Sequence, residues 1–267
     1  MPKFSANLSF LFQELPTIAE RVEAAASCGF RGVEYMFPYG EDIGVRSAQL
    51  RALGLEQVLF NLPAGDFAAG ERGIAVDPAR IEEFRRGVAE AVFIAPELGC
   101  SRVNCLVGKA LPAHSRETMW KTLVGNLQFA ADALAVQNVR LLVEPLNRIE
   151  TPGFFIGTTA EWLELREAVA RPNFMLQYDC YHAQRVEGNL MATLRANLGL
   201  IGHIQIADSP LRNEPGTGEL AYERILPYLD ELGYEGWVGL EYKPATTTRE
   251  SFEWMDRFAA SVPGAAR

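Results

Sequence analysis

Four short apolar runs in the second half of the chain, LLVEP, MLQYD, HIQIAD and VGLEY, each carry near their end a residue able to bind a metal: Glu144, Asp179, Gln205 and Glu241. Three carboxylates and an amide oxygen are hard donors, a set that suits Mg2+ or Mn2+ better than the thiolates and imidazoles of structural zinc. Gathered without a cation, the carboxylates would repel one another and raise each other's pKa, so the cluster calls for one divalent metal ion. Glu144 and Glu241 lie on the first and last of the four runs and would reach a chelated substrate from separate positions. They are the candidate acid-base pair, flanking a carbon whose proton is acidified by an adjacent carbonyl. That arrangement suits enolisation.

These residues meet only if parallel strands deliver them to a common end. Apolar, β-rich runs near 4-9, 32-36, 57-62, 102-107, 140-146, 174-180, 202-207 and 237-242 alternate with helical patterns such as Pro16 to Ser27, Pro78 to Leu98, Ser115 to Val136, Thr159 to Val169, Leu190 to Asn197, Tyr222 to Leu232 and Arg249 to Ser261. Helix-to-strand joins repeat one design, Cys28-Gly29-Phe30, Leu53-Gly54-Leu55, Leu98-Gly99-Cys100 and Leu232-Gly233-Tyr234, in which glycine caps the helix and an apolar residue follows. Thr159, Ser115 and Asp77-Pro78 read as helix starts. Eight such units admit a closed ring or an open doubly wound sheet. No G-x-G-x-x-G follows the first strand, and eight units in 267 residues favour a single-domain α/β fold, a (β/α)8 barrel over residues 1-267.

Alternation along each strand then ranks the neighbours. Leu142 lies one layer below Glu144, Gln177 below Asp179, His203 below Gln205 and Gly239 below Glu241. Gln177 and His203 are expected to orient the metal-binding residues, with a hydrogen-bonded core histidine as the plainer reading of His203. Asn7, Glu34, Asn61 and Asn104 are candidates for the barrel mouth, and Glu34 serves equally well as a buried acceptor. The longest connections, Pro63 to Asp77, Asn147 to Thr158 and Ser209 to Leu220, follow strands, where lids belong. Lys109, Arg148, Arg212 and Lys243 come just after strands and are candidate cations for an anionic substrate, Lys109 and Arg212 foremost. Phe10, Phe12, Tyr35, Phe37, Tyr39 and Phe67 crowd the loops and strand ends, either as walls that exclude water or as a homo-oligomer contact.

A formal charge of −9 without a basic stripe opposes nucleic acid as partner, leaving a small-molecule substrate. The start, MPKFSANLSFLF, lacks the features of a signal peptide, and no apolar stretch reaches the ~18 to 20 residues that cross a bilayer, so no membrane partner and a cytoplasmic location are expected. Cys28, Cys100, Cys105 and Cys180 are scattered and read as buried reduced thiols.

EPLNRIE at Glu144 to Glu150, YDCYH at Tyr178 to His182, HIQIADSPLRNEPGTGE at His203 to Glu219, and GLEYKP at Gly239 to Pro244 resemble the xylose isomerase-like TIM barrels. The match is best to the hydroxypyruvate isomerase group, whose long loop after strand 3 is similar to FNLPAGDFAAGERG at Phe60 to Gly73, and it covers essentially the whole chain. The resemblance implies one divalent ion held by Glu144, Asp179, Gln205 and Glu241, with Glu144 and Glu241 as the catalytic pair. It implies interconversion of hydroxypyruvate and tartronate semialdehyde, or of a close 2-oxo acid sugar, through an enediolate. From the related ketose 3-epimerases it carries substrate-binding roles onto Glu150, His182 and Arg212. Those enzymes have histidine where this chain has Gln205, which favours the hydroxypyruvate isomerase branch over epimerisation of free sugars. An apurinic-site endonuclease of the same superfamily would need several metals and more histidines than His114, His182 and His203, and a non-catalytic sugar-binding barrel would leave the glutamate pair unexplained.

Overall fold

In the computed structural model, which describes residues 2–256, all eight expected strands form and join in sequence order into a closed barrel. They are β1 (Lys3–Asn7), β2 (Gly32–Glu34), β3 (Glu56–Asn61), β4 (Arg102–Asn104), β5 (Arg140–Val143), β6 (Phe174–Asp179), β7 (Ile201–Ile206) and β8 (Trp237–Leu240). Each pairs in parallel with the next, and β8 returns to β1 with Gly239 opposite Ser5. Closure matters because it leaves no strand edge and makes all the carboxyl ends face one mouth.

Around the ring lie α1 (Ile18–Ser27), α2 (Ile43–Leu53), α3 (Ile81–Glu97), α4 (Arg116–Ala135), α5 (Thr159–Val169), α6 (Cys180–Val186), α7 (Leu190–Asn197) and α8 (Tyr222–Glu231). Their inward faces hold them there. α4 buries Leu123, Leu127 and Leu134 fully, and each such side chain contributes about 2 kcal/mol of burial, more than helix propensity supplies per residue. The glycines of the four repeated joins all adopt positive φ, as their capping role requires. Of the expected last helix, Arg249 to Ser261, the described part holds a 3-10 turn at Glu250–Phe252 followed by helical residues 253–256, and residues beyond 256 lie outside the described residues.

Two boundary expectations change. The strands begin within a residue of where the apolar runs begin but stop up to three residues early; β4 ends at Asn104, although Cys105, Leu106 and Val107 are also buried. There the backbone leaves the ladder and bonds to loops instead, with Val76 N–H donating to Val107 O at 3.1 Å and Phe155 N–H to Gly108 O at 3.0 Å. Apolar runs report burial, and loops bury the barrel mouth as thoroughly as strands bury its wall. At helix starts, Ser115 caps α4 as expected, but Thr158 rather than Thr159 caps α5, and Asp77 accepts from Ala79 N–H in a turn that precedes α3.

Inside the barrel, Ser5, Glu34, Gln177 and His203 are all essentially inaccessible to solvent. Leu142 and Trp237, two residues before Glu144 and Gly239, belong to a separate apolar cluster with Val58 and Leu59. Gly239 is the opening that admits the Glu34 carboxylate, because a Cβ at this position would lie 2.4 Å from Glu34 Oε1. Gly239→Ala should therefore lower stability by about 1–3 kcal/mol, the usual cost of overpacking, and displace Glu34. Urea denaturation would measure this, and a wild-type midpoint would show that Glu34 has room to move.

Candidate active site

Glu144 directly follows β5, Asp179 ends β6, Gln205 is next to last in β7 and Glu241 directly follows β8; all four are buried. Glu144, Gln205 and Glu241 line a cavity of about 320 Å3 at the barrel mouth, together with Gln177, His182 and Arg212. Gln177 Nε2 donates to Gln205 Oε1 at 2.6 Å and to Glu144 Oε2 at 3.1 Å, so it touches two of the four metal-binding candidates. Gln205 Nε2 donates in turn to Glu34 Oε1 at 2.7 Å and Glu241 Oε2 at 2.6 Å. Two carboxylate acceptors fix which end of this amide is nitrogen, so Gln205 Oε1 faces Gln177 and keeps a second lone pair.

His203 does not touch the predicted metal-binding residues directly, contrary to its expected orienting role. Its Nε2 lies 2.9 Å from Glu34 Oε2 without hydrogen-bond alignment, so it reaches Gln205 only through Glu34. Glu34 thus proves more central than the sequence suggested. It also accepts from Ser5 Oγ at 2.8 Å and Asn7 Nδ2 at 3.2 Å. Burial pushes its carboxyl pKa up, but the neighbouring His203 and the hydrogen bonds from Gln205 and Ser5 outweigh burial and leave it below the ordinary value.

Arg212 enters from the loop after β7. Its Nη2 donates to Glu241 Oε1 at 2.5 Å and lies 3.6 Å from Asp179 Oδ2, while Nη1 is 3.7 Å from Glu150 Oε2. The guanidinium rests between the rings of Phe10 and Tyr181, 4.9 and 5.1 Å from their centroids. Asp208 holds this loop in shape: its carboxylate accepts from the backbone N–H of Ser209, Gly216, Gly218 and Leu220. No metal or catalytic pattern marks Asp208 in the sequence; its only signal is an acid immediately after an apolar strand.

His182 stands on α6, three residues past Asp179. Its Nδ1 accepts from Asn147 backbone N–H at 3.2 Å and lies 2.7 Å from the Asn147 amide nitrogen. Burial, and then the nearby Arg212, hold the imidazole pKa well below its ordinary value, so the ring is neutral. With Nδ1 accepting, the single ring hydrogen sits on Nε2. Nε2 is 3.8 Å from both Glu144 Oε1 and Asp179 Oδ2. These three groups lie within 4.8 Å of one another and have the types of a metal site. In this tautomer, however, His182 presents a donor rather than a ligand lone pair. Asn147 also accepts from Glu150 N–H at 2.9 Å, so one buried amide sets both Glu150 and His182. Sequence reasoning passed over Asn147, although it lies within the EPLNRIE run.

The donor set fits a divalent cation. Glu144 Oε1 and Asp179 Oδ2 are buried without any hydrogen-bond partner among the described residues, and both are carboxyl oxygens on the Nε2 side of His182. Without compensating charge they resist ionisation. Burial, then Glu241 and Asp179, raise the Glu144 pKa well above the carboxylate range despite Arg212. Burial raises Asp179 against Arg212 and the N–H groups of Tyr181 and His182. Burial likewise pushes Glu241 up to about 8, with Arg212 opposing and Asp179 and Glu34 adding to the rise.

The candidate cations divide. Lys109 is not in the main cavity; its Nζ donates to Gly70 O at 2.9 Å beside a smaller cavity, pinning the loop after β3. Arg148 is committed to Phe154 O, Phe155 O and Glu161. Lys243 lines the main cavity from an exposed position. Among the mouth residues, Asn7, Glu34 and Asn61 line the cavity, whereas Asn104 is buried beneath and donates to Asn61 Oδ1. Phe10, Tyr35 and Phe67 form aromatic wall, Phe37 backs Phe67, and Phe12 and Tyr39 join the packed interior. The four cysteines are free thiols, with Cys28 half-buried and the other three buried. Among the described residues no helix is long and apolar enough to cross a membrane.

Residues 22–258 match the xylose isomerase-like TIM barrel family, and the chain belongs to it. Among named relatives, it is 50% identical to hydroxypyruvate isomerase of Escherichia coli (strain K12), over 97% of this chain and all of that protein. It is 41% identical to the 2-oxo-tetronate isomerase of Cupriavidus necator, over 96% of this chain and 98% of that one. Likeness of this extent makes the chain an isomerase of that kind. A solved structure described as an AP endonuclease, family 2, from Brucella melitensis superposes with a TM-score of 0.93 at 42% identity, covering 96% of this chain and 99% of that one.

The shifted carboxyls give a stability test. A carboxyl whose folded pKa is raised stabilises fully below its unfolded value, and that contribution is lost as pH rises through the folded value; for Glu241 the window runs from 4.5 to about 8. A divalent ion binds the ionised form, so the thermal stabilisation by added Mn2+ should be larger at pH 8 than at pH 5. Scanning calorimetry of chelator-treated protein would measure it, and an increment independent of pH would contradict a site built from these carboxyls.

Proposed function

We propose that this isomerase interconverts hydroxypyruvate and tartronate semialdehyde, or a close 2-oxo acid such as 2-oxo-tetronate, by proton transfer between adjacent carbons with the help of one divalent metal ion. The observation that carries this reading is the buried rim cluster of Glu144, Asp179 and Glu241, with raised carboxyl pKa values and two oxygens that have no hydrogen-bond donor among the described residues.

The residues that would hold the ion are Glu144, Asp179, Gln205 and Glu241, and Mg2+ or Mn2+ suits their oxygens. When bound, it supplies positive charge that acidifies the proton beside the substrate carbonyl. The protein performs the rest. A carboxylate of the Glu144 and Glu241 pair takes a proton from C3, the C–H electron pair becomes the C2–C3 double bond of an enediolate, and a proton returns to C2. Moving the hydroxyl hydrogen from the C3 oxygen to the C2 oxygen completes the aldehyde. His182 Nε2–H and the Arg212 guanidinium are donors placed for substrate oxygens, and the Glu150 carboxylate is an acceptor for a substrate hydroxyl. Phe10, Tyr35 and Leu106 shield the enediolate from water.

Glu144→Gln and Glu241→Gln should each lower kcat on hydroxypyruvate by about 10²-fold or more, the range of general acid-base catalysis. NMR of the product formed in D2O should show deuterium at the new C–H carbon. Full activity after chelation would refute the role of the ion, and a turnover of neutral ketohexoses far above that of 2-oxo acids would favour epimerisation. The acid-rich mouth and the net charge of −9 oppose a nuclease reading, for which nicking of abasic DNA is the assay.

A further inference from the structure

The rim cluster poses a problem for the proposed substrate. Glu34, Glu144, Glu150 and Glu241 line the cavity, so a 2-oxo acid brings another negative charge into an acidic chamber. Arg212 already shares its charge among Glu241, Asp179 and Glu150, although its buried Nε has no hydrogen-bond partner among the described residues. Lys109 faces the neighbouring cavity and Lys243 is exposed. One further cation, Arg72, from the loop between β3 and α3, lines the main cavity as well as the neighbouring one.

Arg72 differs from Arg212 in how it is held. Its Nη1 donates to two backbone carbonyls of its own loop, Phe67 O at 3.1 Å and Glu71 O at 2.7 Å. Its guanidinium lies 3.9 Å from the centroid of Phe67, whose ring packs edge-on against Phe37 at 5.2 Å. Among the described residues it forms no ion pair, and neither Nε nor Nη2 makes a hydrogen bond. Anchoring by Nη1 alone leaves the Nε and Nη2 edge available, and that edge offers two parallel N–H groups in the geometry of a bidentate carboxylate contact.

The loop is built to keep Arg72 there. Gly73 follows it with φ of 102°, a conformation that favours glycine, and a Cβ at this position would lie 1.7 Å from Leu106 O. Gly73 N–H donates to Ala64 O at 2.9 Å, closing the loop on itself. Arg80 holds Glu71 at 2.6 Å, and Lys109 holds Gly70 O. The guanidinium is thus preorganised by backbone and aromatic contacts, with no ion pair to compensate its charge among the described residues.

We infer that Arg72 is the specificity-determining residue of this site, receiving the carboxylate of a 2-oxo acid on its Nε and Nη2 edge and so selecting acids over neutral ketoses. The inference rests on the isomerase reading above and adds to it the residue that recognises the substrate's charge.

The test compares hydroxypyruvate with dihydroxyacetone, in which a hydroxymethyl group replaces the carboxylate. In the Mn2+-loaded enzyme, Arg72→Gln should raise KM for hydroxypyruvate on the order of ten- to a hundredfold, the loss expected for a charged hydrogen-bonded pair, with a smaller change in kcat. The inhibition constant of dihydroxyacetone as a competitor should move by less than about twofold. Arg72→Lys, which keeps the charge and loses the fork, should fall between. Calorimetric titration of hydroxypyruvate should show the same order of affinities. An unaltered KM in Arg72→Gln would overturn the inference while leaving the isomerase reading intact, as would equal weakening of both ligands, which marks a merely structural role. Should Arg72→Gln fail to fold, Arg72→Lys decides: KM equal to wild type sinks the proposal. Wild-type enzyme that neither binds nor turns over hydroxypyruvate would remove the functional reading itself, and this inference with it.

Discussion

The structure turns on anionic carboxyls gathered where water is scarce. Glu34, Glu144, Asp179 and Glu241 are each at most 7% exposed, and an ionised group in such surroundings carries a desolvation penalty of several kcal/mol. A single hydrogen bond returns about 1 kcal/mol net, too little to offset it. The barrel answers differently at different carboxyls. Glu34 is offset by His203 and a set of side-chain donors and stays ionised, whereas Glu144, Asp179 and Glu241 share one guanidinium and remain hard to ionise. The same imbalance that disfavours the metal-free ionised state is what the proposed cation and the proposed proton transfer would draw on.

Buried polar side chains that bear no chemistry of their own transmit this arrangement to the loops. Asp208 gathers four backbone N–H groups and thereby sets the loop that carries Arg212. Asn147 fixes Glu150 through its backbone N–H and His182 through Nδ1, which also decides that His182 points a hydrogen rather than a lone pair into the cavity. The loop after β3 uses Lys109 and the pair of Arg80 with Glu71 in the same way, leaving Arg72 and Phe67 on the cavity side. Rigid loops suit a reaction whose intermediate must be kept from water.

The parallel strands were legible because each is an apolar run followed by a break, and the four metal-binding candidates were legible because acids and an amide ending such runs are chemically out of place. Their upper ends were not, since Leu106 and Val107 are as buried as the ladder itself. Lys109 looked equivalent to any cation just beyond a strand; a bond to Gly70 O removes it from the main cavity. Arg72 lay within a quoted motif, yet nothing local distinguishes its guanidinium from that of Arg80, which spends its donors on Glu71 and Glu83. Glu34 showed itself only as one acid in a strand, because its partners Ser5, Asn7, His203 and Gln205 lie on two other strands, β1 and β7, far from it in the chain.

By itself the sequence determined the eight-fold alternation of strand and helix and the oxygen donors at the strand ends, and favoured a closed barrel over an open sheet, because burial patterns and strand period are local properties of the chain. Tertiary structure alone decided which charges neutralise one another, which tautomer His182 adopts, and which cation of the cavity has no ion pair among the described residues. Those outcomes depend on distances of 2.5 to 4 Å between residues far apart in the chain, where electrostatic energy varies most steeply.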